Sequence, residues 1–120
     1  MQYHIVWCTK YRRKVITGSI ESDVKTHLLK TAEDLDIKII ALETMPDHIH
    51  MLVECKPQCR LSDAIKVFKG NTARWLFLKN PEIKKQLWGG HLWNPSYFVV
   101  TVSEHTKEQV ETYIKNQKER

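Results

Sequence analysis

The chain has 120 residues, 42% hydrophobic and 28% charged, with a formal net charge of +5. That length supports one core rather than two, so a single domain over residues 1–120 of a soluble globular protein is expected. No apolar run approaches the roughly 20 residues that cross a bilayer, so no membrane partner is expected.

Residues 3–9 (Tyr-His-Ile-Val-Trp-Cys-Thr) are β-branched and aromatic and read as the first strand. No signal peptide is expected, because the N-terminus opens directly into these residues. Lys10-Tyr11-Arg12-Arg13-Lys14 then gathers four positive charges around one aromatic. Such a loop suits phosphate neutralisation, with Tyr11 able to stack on a base. Gly18-Ser19 punctuates, and Ser19 or a neighbour is the expected helix cap. Ile20, Val24, Leu28, Ala32 and Leu35 recur at helical spacing, which predicts an amphipathic helix over 20–35 packed on a sheet.

A second strand is expected over 37–44, with Ile39, Ile40 and Leu42 as its apolar content, and a turn at Met45-Pro46-Asp47. A third follows over 48–55, so the two form a hairpin. Ser62 is the expected N-cap of a helix over about 63–78. Ile65, Phe68, Thr72 and Trp75 or Leu76 form its buried stripe, and Lys66, Lys69 and Arg74 its basic exposed side. Gly70 in its middle suggests a close backbone approach. Asn80-Pro81 ends it, and Gly89-Gly90 reads as a flexible joint. A fourth strand is expected over 97–102, with Trp88, Trp93 and Tyr97 as core or interface aromatics. A final helix spans about 106–118. The cysteines, Cys8, Cys55 and Cys59, are odd in number and form no Cys-x-x-Cys, which favours a reduced, cytoplasmic protein.

The order β-α-β-β-α-β is the ferredoxin-like, or RRM-like, arrangement of the α+β class. It predicts a four-stranded antiparallel sheet with two helices on one face and an extra C-terminal helix. Side chains alternate along a strand, so Ile49, Met51 and Val53 face one way and His48, His50 and Leu52 the other. The His pair should lie on the face away from the helices. Two imidazoles side by side on a strand form a candidate metal-ligand pair. A bare His-x-His is more often an ordinary polar pair on a half-exposed strand, so the pattern alone carries little. In the terminal helix, Val110, Tyr113, Ile114 and Gln117 fall on one face, with Tyr113 and Gln117 one turn apart.

These stretches together resemble the single-tyrosine, His-hydrophobic-His transposases of small bacterial and archaeal insertion sequences, the TnpA type. The matching residues run from Tyr3-His-Ile-Val-Trp-Cys-Thr-Lys-Tyr-Arg-Arg-Lys14 to Met45-Pro-Asp-His-Ile-His-Met-Leu-Val-Glu54. They continue through Phe68-Lys-Gly70, Leu92-Trp-Asn-Pro-Ser-Tyr-Phe98 and Tyr113-Ile-Lys-Asn-Gln117. The resemblance implies that His48 and His50 bind a divalent cation, Mg²⁺ or Mn²⁺, with Gln117 as third ligand, and that Tyr113 is the nucleophile. It implies a homodimer acting on single-stranded DNA near hairpin ends, through a 5′-phosphotyrosine. Rejoining by transesterification needs no nucleotide cofactor, and the chain has no Gly-rich phosphate loop. Lys10, Arg12, Arg13, Lys14, Lys66, Lys69 and Arg74 are the candidate DNA-backbone contacts.

Three other readings compete. A non-catalytic RRM-like module would carry aromatics on its central strands, where this chain has histidines. Other His-based phosphoesterases need either a third histidine, where Leu52 stands, or a second His-x-Ser/Thr, which the chain lacks. A domesticated relative would carry the same site.

Overall fold

The computed structural model of the protein describes residues 1–86 and 91–102. Trp88, Gly89-Gly90 and the expected terminal helix, with Tyr113 and Gln117, lie outside the described residues. The elements are β1 (Gln2–Cys8), a 3-10 turn (Lys10–Arg12), α1 (Gly18–Asp34), β2 (Lys38–Met45), β3 (His48–Glu54), α2 (Leu61–Lys79), α3 (Pro81–Gln86) and β4 (Phe98–Thr101). The strands form one four-stranded antiparallel sheet in the order β2-β3-β1-β4. The expected α+β arrangement is therefore the observed one. No helix among the described residues is long and apolar enough to cross a membrane.

Alternation divides the sheet into two faces. Ile5, Ile49, Met51 and Val53 are fully buried and join Trp7 with Val24 and Leu28 of α1 and Ile65, Phe68 and Leu76 of α2 in one core. Burying each such side chain contributes about 1.5–3 kcal/mol. On β2 the alternation slips. A bulge between Ile39 and Ala41 leaves Ile40 without a Cα partner, so Ile39 and Leu42 pack on the core while Ile40 is exposed.

Other local expectations also change. The N-cap of α1 is Thr17 and that of α2 is Arg60, neither with a side-chain cap bond, so Ser19 and Ser62 both lie inside their helices. In the stripe of α2 it is Leu76 that is buried, while Trp75 is half-buried and stacked on His27. A Cβ added at Gly70 would meet nothing within 4 Å, so no close backbone approach explains that glycine. Asn80 ends α2 as expected, but Pro81 opens a further short helix, where its missing N–H costs nothing.

The segment after β1 is held by hydrogen bonds across the molecule. Thr9 N–H donates to the Asp47 carbonyl (2.9 Å) and Ile16 N–H to that of Pro46 (3.0 Å). The β2–β3 turn and the basic segment are thus fixed against each other. Trp93 fills the gap behind them. Its ring meets Trp7 edge-on at 5.8 Å, and its Nε1 donates to the Lys69 carbonyl and Thr72 Oγ1 (3.0 and 3.1 Å). The expected aromatic is therefore core.

Candidate metal centre

The strand register builds the site. Cys8 lies opposite His48, Val6 opposite His50 and His4 opposite Leu52. On the outer strands Glu43 lies opposite His50, and Val100 opposite His4. His48 and His50 therefore share the face away from the helices, as alternation predicts. A hollow lined by His4, Ala41, Glu43, His50 and Leu52 opens on that face.

The two imidazoles have different surroundings. His48 is 2% exposed, and its Nδ1 lies 2.9 Å from Asp47 Oδ1. The other carboxylate oxygen of Asp47 accepts from Arg12 Nη2 at 3.1 Å. Burial alone would raise the Asp47 pKa, but the His48 hydrogen bond and the Arg12 charge outweigh it and hold the carboxyl below its ordinary value. An ionised Asp47 can only accept, so the Nδ1–H of His48 is the donor. That tautomer carries its lone pair on Nε2, which is the nitrogen then suited to a cation. The Nε2 of His50 lies 3.0 Å from His4 Nδ1, and its Nδ1 is 3.9 Å from Glu43 Oε2, beyond hydrogen-bonding range. Burial lowers the His4 pKa, which favours a neutral ring beside His50.

The donor chemistry fits a divalent cation. Neutral imidazoles are common ligands, and a carboxylate behind a ligating histidine is the usual support for one. Among the described residues no group of three or more His, Cys, Asp or Glu side chains forms a metal-holding set.

The basic residues fall into two groups. Arg13, Lys14, Lys66 and Arg74 are exposed. Lys10 is half-buried, with its Nζ 5.3 Å from the centre of the exposed Tyr11 ring. Arg12 turns inward onto Asp47. Lys69 is half-buried rather than on the exposed side of α2; its Nζ donates to the Asn94 carbonyl (2.6 Å) and lies 5.9 Å from the Tyr97 ring centre. Burial pulls its pKa below the ordinary lysine value.

Asp47, Arg12 and His4 are the neighbours of the pair that sequence reading did not assign to it. In a regular strand, side chains at successive positions point to opposite faces, so an acid directly before His48 would point away. Only its place in the turn lets Asp47 reach back. The His4–His50 contact is diagonal across β1 and β3, and it becomes visible once the register is known.

Comparison with known proteins identifies the group. The chain belongs to the family described as IS200-like transposases, whose pattern matches residues 1–117. It is 43% identical to the ISDra2 transposase TnpA of Deinococcus radiodurans, over 98% of this chain and 84% of that one. It is 33% identical to the transposase of insertion sequence element IS200 from Salmonella typhimurium, over 98% and 77% of the two chains. A crystal structure of a transposase candidate from D. radiodurans R1 superposes with a TM-score of 0.87 at 44% identity, covering 98% of this chain and 90% of that one. The REP-associated tyrosine transposase, solved bound to a REP hairpin, shares the fold with a TM-score of 0.64 at 14% identity, over 93% and 61% of the two chains. The protein is thus of the transposase class, whose members cleave DNA.

Proposed function

We propose that this protein cleaves and rejoins single-stranded DNA near hairpin ends by transesterification, with Tyr113 as nucleophile and a divalent cation held by His48, His50 and Gln117. The observation that carries the reading is the imidazole pair on the face of β3 away from the helices, with the Asp47 carboxylate hydrogen-bonded behind His48. The family supports the activity, and the hairpin bound by the distant REP-associated transposase supports the substrate class.

A phenol has a pKa near 10, so about one in a thousand is ionised at pH 7. Tyr113 therefore loses its proton as it attacks. Its oxygen forms the bond to phosphorus, the P–O3′ bond breaks, and the 3′ oxygen leaves and takes up a proton. The products are a 5′-phosphotyrosine and a free 3′-hydroxyl. Attack by a 3′-hydroxyl on that linkage restores a phosphodiester and the phenol. One ester replaces another at each step, so no nucleotide cofactor is used. When bound, Mg²⁺ or Mn²⁺ polarises a non-bridging phosphate oxygen and offsets the growing negative charge. The chain's own residues position that charge. His48 and His50 fix it on the sheet; the exposed Arg13 and Lys14, with Lys10, neutralise the DNA backbone, and Lys66 and Arg74 add positive charge on α2, which packs on the other face of the sheet. A homodimer in the cytoplasm, in which one subunit's tyrosine segment can serve the other subunit's His pair, completes the proposal.

The test is incubation with hairpin-bearing single-stranded DNA and Mn²⁺, followed by denaturing electrophoresis. Wild type is expected to give a covalent protein–DNA band that chelator suppresses. Tyr113→Phe should lose the band and His48→Ala should reduce it at least about 100-fold, the scale of losing a metal ligand's contribution. An adduct formed by Tyr113→Phe would contradict the assigned nucleophile.

A further inference from the structure

We infer that Asp47 is a positioning residue for His48, holding its ring in the Nδ1-protonated tautomer, and that Arg12 serves as the charge partner of Asp47 rather than as a DNA contact. The inference rests on the metal-binding reading above and deepens it.

The geometry is a chain of three side chains. Arg12 Nη2 to Asp47 Oδ2 is 3.1 Å, and Asp47 Oδ1 to His48 Nδ1 is 2.9 Å. Each carboxylate oxygen thus has its own partner. Asp47 is 9% exposed and His48 2%, so the contact between them is shielded from water, and the Arg12 contact is partly so. The Asp47 main chain is pinned as well, because its carbonyl accepts from Thr9 N–H at 2.9 Å. Backbone and side chain together leave the carboxylate little freedom to turn. A neutral imidazole has one N–H and one lone pair. With the N–H committed to Asp47, the lone pair is directed away from the turn.

A simpler account makes Arg12–Asp47 a clamp that only shapes the basic segment. Three observations favour the positioning role. The second oxygen of Asp47 is spent on the imidazole and not on the segment. Tyr11 and Arg12 both take left-handed backbone conformations (φ 55° and 54°), which residues with a Cβ rarely adopt, least of all in succession. Arg12 Nε and Nη1 are also buried with no hydrogen-bond partner among the described residues. A clamp selected for stability would avoid both features; strain of this kind is characteristic of functional sites. What the arrangement does secure is a cation beside a shielded carboxylate. Arg12 is therefore committed inward, and Arg13 and Lys14 are the exposed cations of this segment.

The test has two readouts, both on the full chain. Long-range ¹H–¹⁵N correlation on the metal-free protein should show His48 protonated at Nδ1; protonation at Nε2 instead would overturn the inference. Calorimetric titration with MnCl₂ should show affinity weakened about 10–100-fold in Asp47→Ala, the range found when the support of a ligating histidine is removed. Asp47→Asn, which keeps an acceptor oxygen but no charge, should lose less. Arg12→Gln should weaken Mn²⁺ binding and Arg12→Lys should restore most of it, as one contact needs one donor. Wild-type affinity in Asp47→Ala, alongside lost binding in His48→Ala, would overturn the positioning role and leave the metal site standing. Wild-type affinity in His48→Ala would overturn the metal reading itself. If Asp47→Ala does not fold, Asp47→Asn and the tautomer measurement decide.

Discussion

The two faces of β3 show how one strand serves two ends. Ile49, Met51 and Val53 point to the helices and are fully buried in an apolar core. That face is held by many weak, non-directional contacts, and any apolar side chain of the right volume would serve there. His48 and His50, facing the other way, are held by a few directional contacts to Asp47 and His4. Each of these depends on a particular atom in a particular place. The lesson is that stability and chemistry are separable on this strand, residue by residue.

The separation can be tested by substitution. The largest effect on stability should come from Met51→Ala on the core face, at about 2–5 kcal/mol in chemical denaturation. A loss well under 1 kcal/mol would mean that the core is less tightly filled than its full burial implies. On the opposite face, His50→Ala should cost less than Met51→Ala, because a half-buried imidazole held by polar contacts leaves no apolar core cavity behind. The same variant should fail to bind Mn²⁺ in calorimetry. A large stability loss with metal binding retained would reverse the assignment of the two faces. The smallest change, and the only one of opposite sign, is expected at an exposed position of α2. Gly70→Ala in α2 should stabilise the protein by about 1 kcal/mol, because the added methyl meets nothing within 4 Å and helix propensity then decides. Destabilisation there would reveal a steric neighbour not accounted for by the described residues.

What could be read from the sequence follows the same division. The core face and the placement of His48 and His50 depend on a period of two, which the letters carry directly. The order of the four strands and of α1 and α2 was legible for the same reason, since apolar spacing distinguishes helix from strand, whereas the short α3 was not expected. The bulge at Ile40 was not, because one unpaired residue reverses the alternation without changing composition. The caps failed at Ser19 and Ser62 because hydroxyl residues are as acceptable in the first helical turn as before it. Asp47, Arg12 and His4 belong to the site through a tight turn, a strained segment and a cross-strand diagonal. Those are facts of register and backbone conformation, which become definite only when distant stretches of chain have met. The basic residues show the limit most clearly. Arg12 and Arg13 are adjacent and chemically identical, yet one is turned inward and the other is exposed.

The central claim is that the imidazole pair of β3 holds a divalent cation. Its most direct test is diffraction from crystals grown with Mn²⁺, using the anomalous signal of the metal. The account predicts a peak within coordination distance of a ring nitrogen of both His48 and His50. A peak that touches neither ring, or no peak at the pair when Mn²⁺ is in excess, would contradict it.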